Sequence, residues 1–157
     1  MTESVKVGDK FPVSELVASD GRRLDLGSLP GPAVVYFYPA DGTDGCTLQA
    51  VEFNRAVDDF AAANVALVGI SVDDDESHRR FAKDQGLRFP LVADAGGELA
   101  DTLGLIKDYG EYGKLAGRVT LLLDRDAVVR ETWSPEEQDV KDHPGQVLAA
   151  ARALEAS

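Results

Sequence analysis

Two short apolar runs with a helical pattern between them constrain the fold of this chain most strongly. Residues 33–38 (AVVYFY) are too few for a buried helix and rich in β-forming residues, so they predict a buried strand. Residues 65–72 (VALVGISV) are apolar almost throughout, which suits a central parallel strand. Between the runs, apolar residues recur at helical spacings of three and four: Ala50, Phe53, Val57 and Phe60.

Turn and cap signals divide the rest of the chain into short elements. We expect a helix that opens in the acidic run 73–76, with Asp75 as its N-cap, and that closes at Gly86. The other expected elements are an edge strand at 22–26 after an irregular lead-in, the amphipathic helix above running to about residue 63, a strand at 89–92, a helix at 98–103, a polar loop at 107–117, a hairpin of strands 119–123 and 128–133, and a last helix whose first position is Pro144.

The order of these elements predicts the fold class. Strand, helix, strand and helix, followed by a hairpin and a closing helix, are typical of a thioredoxin-like α/β fold. We therefore expect a central mixed β-sheet with helices on both faces and an N-terminal extension. No internal repeat or change of composition divides the 157 residues, so we expect a single domain over residues 1–157.

Charge and composition argue against several classes of function. Asp and Glu (28) outnumber Lys and Arg (16), and the net charge of −12 argues against nucleic-acid and anionic-membrane partners. The amino terminus has no signal-peptide core, and no apolar run is long enough to span a membrane. A single cysteine cannot form an internal disulfide, so we expect a cytoplasmic protein in a reducing compartment.

No pattern in the chain predicts a cofactor or a metal ion. Glycine-rich nucleotide motifs are absent, and neither histidine has a partner at metal-ligand spacing. We expect His78 to face solvent in its helix and His143 to cap the last helix. The acidic run 73–76 predicts a solvated helix N-terminus and not a calcium site.

The only cysteine, Cys46, falls just past a predicted strand, in the first turn of the predicted helix. The free N–H groups and the dipole of a helix N-terminus stabilise a thiolate. Three interpretations compete: a buried packing thiol, a dithiol reductase, and a nucleophile that another molecule restores. Polar neighbours such as Thr43 and Asp44 argue against the first. The second needs C-x-x-C, whereas this chain has Gln49 at the second cysteine position.

The residues around Cys46 resemble a known signature. The pattern P-x-x-x-T-x-x-C is present in full as Pro39, Thr43 and Cys46, and it resembles the peroxidatic motif of the peroxiredoxins. The resemblance is to the peroxiredoxin Q, or bacterioferritin comigratory protein, branch, and it runs in order over roughly residues 5–155. It is carried by YFYPADGTDGCTLQAVEF, GISVDDDESHRRFAKDQGLRFPLVAD and GRVTLLLDRDAVV.

This resemblance implies a thiol-dependent peroxidase that reduces hydrogen peroxide and organic hydroperoxides, in antioxidant defence and cell redox homeostasis. Cys46 would be the peroxidatic thiolate, oxidised by peroxide to a sulfenic acid. Thr43 would direct its hydroxyl at thiolate and substrate, and Arg118 would stabilise the thiolate and hydrogen-bond the peroxide. Pro39 would shield the pocket from water, and Gln49 would support the arginine.

The chain departs from its relatives in two positions. Val51 stands where many relatives carry a resolving cysteine, and no second cysteine exists. We therefore expect a 1-Cys mechanism in which an external thiol reduces the sulfenic acid: thioredoxin, glutaredoxin, glutathione or another low-molecular-weight thiol. Asp44 replaces a proline, and its carboxylate would oppose ionisation of the thiol unless it points to solvent or to the helix N-terminus.

Other functions stay open at this point. A peroxide sensor or redox relay would pass oxidation from Cys46 to a partner protein, and the missing second thiol keeps this alternative open. A catalytically silent homologue with a buried cysteine is a third possibility. We expect a monomer or weak homodimer, because no long C-terminal arm is present to build a ring.

Overall fold

The computed structural model describes residues 4–26, 28–136 and 139–156. The elements are, in chain order, β1 (Glu15–Val17), β2 (Arg23–Asp25), β3 (Ala33–Phe37), α1 (Asp44–Arg55), α2 (Val57–Ala62), β4 (Ala66–Ser71), α3 (Asp75–Gln85), β5 (Leu91–Ala93), α4 (Glu98–Thr102), β6 (Ile106–Asp108), a turn of 3-10 helix (Gly110–Tyr112), β7 (Lys114–Ala116), β8 (Val119–Leu123), β9 (Val129–Trp133) and α5 (His143–Ala156).

A five-stranded mixed sheet in the order β5-β4-β3-β8-β9 forms the centre of the thioredoxin-like fold. β3 lies in the middle, parallel to β4 and antiparallel to β8. β5 continues the parallel half beside β4, and β9 forms a hairpin with β8. Every residue of β3 is buried, which explains why this strand is apolar throughout and does not alternate. The predicted mixed sheet and its hairpin are confirmed.

An apolar cluster covers each face of the sheet. Val34 and Tyr36 of β3 point to one face, where they meet α1, α2 and α5. Val35 and Phe37 point to the other face, which α4 and the two small hairpins cover. Burial of each such side chain contributes about 1.5–3 kcal/mol, so the two clusters are the main source of stability. None of the helices in the described residues is both long and apolar enough to cross a membrane.

The predicted helix from Cys46 to about residue 63 is present but interrupted. α1 ends at Arg55, and Ala56, with φ −93° and ψ 1°, separates it from α2. The N–H of Ala56 bonds to the carbonyl of Phe53 at 3.1 Å, three residues back, which tightens the last turn. The bend keeps both helices on the sheet, and the rings of Phe53 and Phe60 lie 6.1 Å apart.

The cap signals of α3 predicted its C-terminal end correctly and its N-cap residue wrongly. The N-cap is Asp74 and not Asp75, because the Asp74 carboxylate accepts the N–H of Ser77 at 2.8 Å. Gly86 ends the helix as predicted, with φ 63° in the left-handed region that favours glycine. The next strand, β5, begins at Leu91, two residues later than predicted.

Two small hairpins lie outside the main sheet. β2 is the predicted strand at 22–26, but it pairs with β1 in a separate sheet and not with the main sheet. The prediction of a polar loop at 107–117 was wrong, since β6 and β7 pair there. Each of these strands has three residues, too few to give a detectable alternation.

His143 is the first residue of α5 and is buried against the hairpin. Its Nε2 lies 2.8 Å from the hydroxyl of Thr120, and its ring meets Phe53 and Trp133 edge-on. Burial, only partly offset by a hydrogen bond with Gln146, lowers the pKa of His143 to about 4. The imidazole is therefore neutral at pH 7.

Stability should fall as the pH drops below 6.5, because the unfolded chain then binds a proton that folded His143 does not accept until about pH 4. We expect His143 to contribute a loss of about 2 kcal/mol in the free energy of unfolding between pH 7 and pH 5, seen as the difference between wild type and His143→Gln over this range. Urea titrations followed by the fluorescence of Trp133, the only tryptophan, measure it. The control His143→Gln should lose less over this range, and an equal loss in both proteins would contradict the prediction.

Candidate active site

Cys46 lies where the sequence places it, in the first turn of α1 after the connection that follows β3. Its thiol is unpaired and its side chain is only 1% exposed. Asp44 is the first residue of α1 and is exposed, so its carboxylate lies at the helix N-terminus, where negative charge is favoured.

Thr43 is the N-cap of α1. Its backbone is extended, with φ −75° and ψ 155°, and its Oγ1 accepts the N–H of Cys46 at 3.3 Å. A hydroxyl has one donor hydrogen in addition to its two acceptor sites. Thr43 therefore caps the helix through its oxygen and retains an O–H donor three residues from the thiol.

Arg118, the residue before β8, approaches the same helix. Its Nη1 donates to Oε1 of Gln49 at 2.7 Å. Gln49 is fully buried and follows Cys46 by three residues in α1, so the two side chains share one helix face. The contact holds a guanidinium, which is always charged, against the face that carries the thiol.

Two tyrosines interact electrostatically with both Cys46 and Arg118. Burial raises the pKa of Tyr109, Arg118 opposes the rise, and the negative charge of a Cys46 thiolate adds to it. Burial also raises the pKa of Tyr36 well above its usual range, with Cys46 and Asp41 adding to the effect and Arg118 opposing it. Tyr109 therefore places the segment 107–117 beside the site, and no sequence signal singled out Tyr36.

Pro39 and Tyr112 have weaker links to the site. Pro39 is partly buried, two residues after the end of β3, in the connection that leads to Cys46. Its predicted shielding of the pocket stays a prediction. Tyr112 lies in the 3-10 turn with 74% of its surface exposed, so it projects into solvent.

A buried polar network around Asp41 was not anticipated from the sequence. The Asp41 carboxylate accepts from Tyr38 Oη at 2.6 Å and from His78 Nδ1 at 2.8 Å. Burial would raise the pKa of Asp41, but hydrogen bonds from His78, Tyr38 and Ser77 outweigh it and hold this pKa below its usual value. The prediction that His78 faces solvent was wrong, since its side chain is fully buried.

A sequence signal for His78 did exist. His78 precedes Phe81 by three residues, so both side chains lie on one face of α3. Phe81 is buried in an apolar cluster against the sheet. A histidine on the inward face of a helix needs hydrogen-bond partners, and Asp41 provides one.

The network also contains the one candidate for a metal ion in the described residues. Ligand atoms of Asp41, Asp73 and His78 lie within 4.8 Å of one another. Protein donors already occupy the carboxylates, since Asp73 accepts from Ser71 Oγ and from the N–H of Asp41. Both ring nitrogens of His78 also have protein partners. Hydrogen bonds thus hold the cluster together.

Comparison with known proteins identifies the family. The AhpC/TSA family profile matches residues 7–132. The chloroplastic peroxiredoxin Q of Oryza sativa subsp. japonica is 38% identical over 151 residues, which are 96% of this chain and 68% of the rice protein.

Solved structures agree with this comparison. The crystal structure of peroxidoxin BcpB from Mycobacterium tuberculosis superposes with a TM-score of 0.82 and 35% identity, over 96% of this chain and 98% of that one. The bacterioferritin comigratory protein of Xanthomonas campestris, studied for its alkyl peroxide reduction activity, gives a TM-score of 0.80 and 31% identity, over 96% and 97% of the two chains. The chain belongs to the AhpC/TSA family, in the peroxiredoxin Q and bacterioferritin comigratory protein branch of the thioredoxin-fold peroxiredoxins, and is a thiol-dependent peroxidase.

Proposed function

We propose that Cys46 is the peroxidatic nucleophile of a 1-Cys peroxidase, which reduces hydrogen peroxide and organic hydroperoxides at the expense of an external thiol. The observation that carries this proposal is the convergence on the first two turns of α1 of a buried thiol, a capping hydroxyl and a guanidinium. Thr43 provides the hydroxyl, and Gln49 holds the guanidinium of Arg118.

The first step is attack of the Cys46 thiolate on the terminal oxygen of the peroxide. A sulfur–oxygen bond forms and the oxygen–oxygen bond breaks, so sulfur is oxidised to the sulfenic acid and the peroxide is reduced. The departing oxygen leaves as hydroxide or alkoxide and takes a proton from solvent, giving water or an alcohol. Negative charge passes from sulfur to the departing oxygen during this step.

The site residues would stabilise that charge and orient the oxygens. Arg118 favours the thiolate and donates to the peroxide oxygens, and its hydrogen bond to Gln49 fixes the plane of its fork. Thr43 supplies its remaining O–H donor to thiolate or peroxide. Pro39 limits the access of water to the thiol. These are effects of positioning and charge stabilisation, which need no cofactor.

Regeneration requires a thiol from outside the chain, because Cys46 is the only cysteine. One external thiol attacks the sulfenic sulfur, releasing water and leaving a mixed disulfide. A second thiol reduces that disulfide and restores Cys46. Thioredoxin, glutaredoxin, glutathione and other low-molecular-weight thiols are the candidate donors, and a reducing compartment such as the cytoplasm supplies them.

The choice of substrates rests on the thiol's surroundings and on a relative. The Cys46 side chain is only 1% exposed, which favours peroxides with a small or slender oxygen end over bulky oxidants. The alkyl peroxide reduction activity of the Xanthomonas campestris relative supports organic hydroperoxides as substrates alongside hydrogen peroxide.

A sensor or relay is the second candidate function. The absence of a second thiol favours it, since oxidised Cys46 then persists until a partner arrives. A partner cysteine that attacked the sulfenic sulfur would receive the oxidation as a mixed disulfide. Sustained turnover with a general reductant distinguishes the peroxidase from the relay.

Replacing Arg118 tests the proposed chemistry directly. One equivalent of hydrogen peroxide should oxidise reduced wild-type protein far faster than a free thiol, as followed by intact mass and a sulfenate trap. Arg118→Ala should lower this rate constant about 100- to 1,000-fold, because the charge on the departing oxygen loses its donor. Arg118→Lys should recover only part of it, since an ammonium lacks the fork geometry.

Cys46→Ser provides the background for this assay and should show no oxidation under the same conditions. Wild-type protein that reacts no faster than a free thiol would overturn the assignment of Cys46 as the peroxidatic residue.

Thr43 allows capping and chemistry to be separated. Thr43→Ser keeps both the oxygen acceptor and the O–H donor, so it should retain most of the oxidation rate. Thr43→Val keeps the shape but loses both, which should cost about 1 kcal/mol of stability and about 100-fold in rate. Thermal melts and peroxide kinetics on the same samples measure the two effects. Equal oxidation rates in the Ser and Val variants would show that Thr43 acts only as a helix cap.

Turnover under excess reductant tests the 1-Cys cycle. We expect sustained peroxide consumption with at least one of thioredoxin, glutaredoxin, glutathione and another low-molecular-weight thiol. One equivalent of a monothiol such as glutathione, added to the oxidised protein, should leave a mixed disulfide at Cys46. Fast oxidation that stops after one turnover with every reductant would contradict the peroxidase cycle and favour the relay.

A further inference from the structure

We propose that His78 is a buried imidazolium that forms an ion pair with Asp41. This ion pair positions the loop that carries Pro39 and Thr43 and leads to Cys46. The inference rests on the proposed role of Cys46 and adds two positioning residues to it. Neither Asp41 nor His78 belongs to the P-x-x-x-T-x-x-C motif.

The protonation of His78 follows from what its two nitrogens face. Nδ1 lies 2.8 Å from Oδ2 of Asp41, and Nε2 lies 3.1 Å from the backbone carbonyl of Val92. A carbonyl only accepts, so Nε2 carries a hydrogen. An ionised carboxylate also only accepts, so Nδ1 carries one too. A neutral imidazole has one N–H, so the lone pair of its other ring nitrogen would face a lone pair of the Asp41 carboxylate or of the Val92 carbonyl at hydrogen-bond distance.

The charges that face the ring favour the same state. Asp41 and Asp73 bring two carboxylates to this cluster, against one imidazolium. Tyr38 and Ser77 are neutral donors to Asp41, and Ser71 donates to Asp73 and lies 3.5 Å from Nε2 of His78. An imidazolium therefore reduces the repulsion between two close carboxylates.

Asp41 connects the hydrogen-bond network to the loop that carries Pro39 and Thr43. Its carboxylate accepts from Tyr38, at the end of β3, and from Ser77 and His78, on α3. Its backbone N–H donates to Asp73 at 2.8 Å, which fixes the main chain as well. The loop is thereby bonded to α3 and to the β4–α3 connection, and through His78 to β5.

The position of Asp41 in this loop explains how its hydrogen bonds can affect Thr43. Asp41 lies two residues after Pro39 and two before Thr43, so it holds the middle of the segment that ends in the helix cap. Gly42, with φ 81°, lies between Asp41 and Thr43 and would allow the cap residue to shift if Asp41 were released. The pair would act on Cys46 through Thr43, without contacting the thiol.

A long-range ¹H–¹⁵N spectrum of the wild-type protein at pH 7 tests the charge state. The chain has two histidines, and His143, buried against a hydroxyl and aromatic rings, provides a neutral reference in the same sample. We expect the two His78 nitrogens to show the similar shifts of an imidazolium, and His143 to show the separated shifts of a neutral ring. Separated shifts for His78 would overturn the ion pair. The His143→Gln variant assigns the signals.

Kinetics of Cys46 test the positioning role. Asp41→Asn and His78→Gln should each slow oxidation by hydrogen peroxide about 10- to 100-fold, the effect of a small displacement of an aligned group. Alkylation of Cys46 by iodoacetamide, which does not need the Thr43 donor in place, should not slow. The double variant should lose little more than either single one, because both changes break one interaction.

Asp74→Asn is the matched control, since it makes the same charge change at the exposed N-cap of α3, and asparagine caps as well as aspartate. Its rates should equal those of wild type. Urea titrations test whether each variant is folded under the assay conditions. Ser77→Ala, a milder change in the same network, replaces any variant that is unfolded.

The outcomes separate the two proposals. Fast oxidation of wild type that is unchanged in both Asp41→Asn and His78→Gln would overturn the positioning role and leave the function of Cys46 intact. Slow oxidation of wild type would overturn both, whatever the histidine spectrum shows. A parallel fall in peroxide and iodoacetamide rates would also overturn the positioning role, because it would mean a general loss of thiol reactivity.

Discussion

The antiparallel pairing of β8 with β3 is the constraint on which the rest of the site depends. In this register Val119 lies opposite Phe37, so Arg118 comes level with the end of β3. The same end of β3 leads through a short connection into α1 and Cys46. The hydrogen bond from Arg118 to Gln49 closes the arrangement across the gap between sheet and helix. Arg118 and Gln49, which are far apart in sequence, thus come into contact because β8 pairs with β3.

The two histidines are buried, and their hydrogen-bond requirements are met in different ways. His143 faces a hydroxyl and aromatic rings, so burial removes its charge at neutral pH. His78 is equally buried but faces a carboxylate and a carbonyl, and both of its nitrogens need hydrogens. Identical side chains with the same exposure therefore differ because their partners differ.

The placement of Cys46 combines burial of the thiol with polar groups close to it. Apolar residues of α1 and β3 pack around it from the side of the sheet, while Thr43 caps the N-terminus of α1 by accepting the N–H of Cys46. Gln49 holds the permanently charged guanidinium of Arg118 against the same helix face. In the proposed cycle the oxidised state is reduced from outside, because the chain has no second cysteine. The geometry of the site therefore bears on the proposed oxidation step, and the single cysteine bears on the proposed reduction step.

Much of the fold could be read from the sequence, because its strongest signals are local. The apolar runs of β3 and β4, the helical period of α1 and the glycine that ends α3 depend on neighbouring residues only. The hairpins β1–β2 and β6–β7 were partly missed, since strands of three residues show no period. The break at Ala56 was missed as well, because the helical spacing continues through it.

The sequence by itself determined the position of Cys46 at a strand-to-helix junction, the motif around it and the lack of a second thiol. Only the tertiary structure decided which distant side chains surround it. The family resemblance alone predicted that Gln49 supports Arg118, and the hydrogen bond between them exists because β8 runs beside β3. Asp41 and His78 were not paired at all, because a hydrogen bond between a loop and a later helix leaves no periodic signal in either segment. Local patterns specify elements, whereas the partners of buried polar groups depend on how those elements pack.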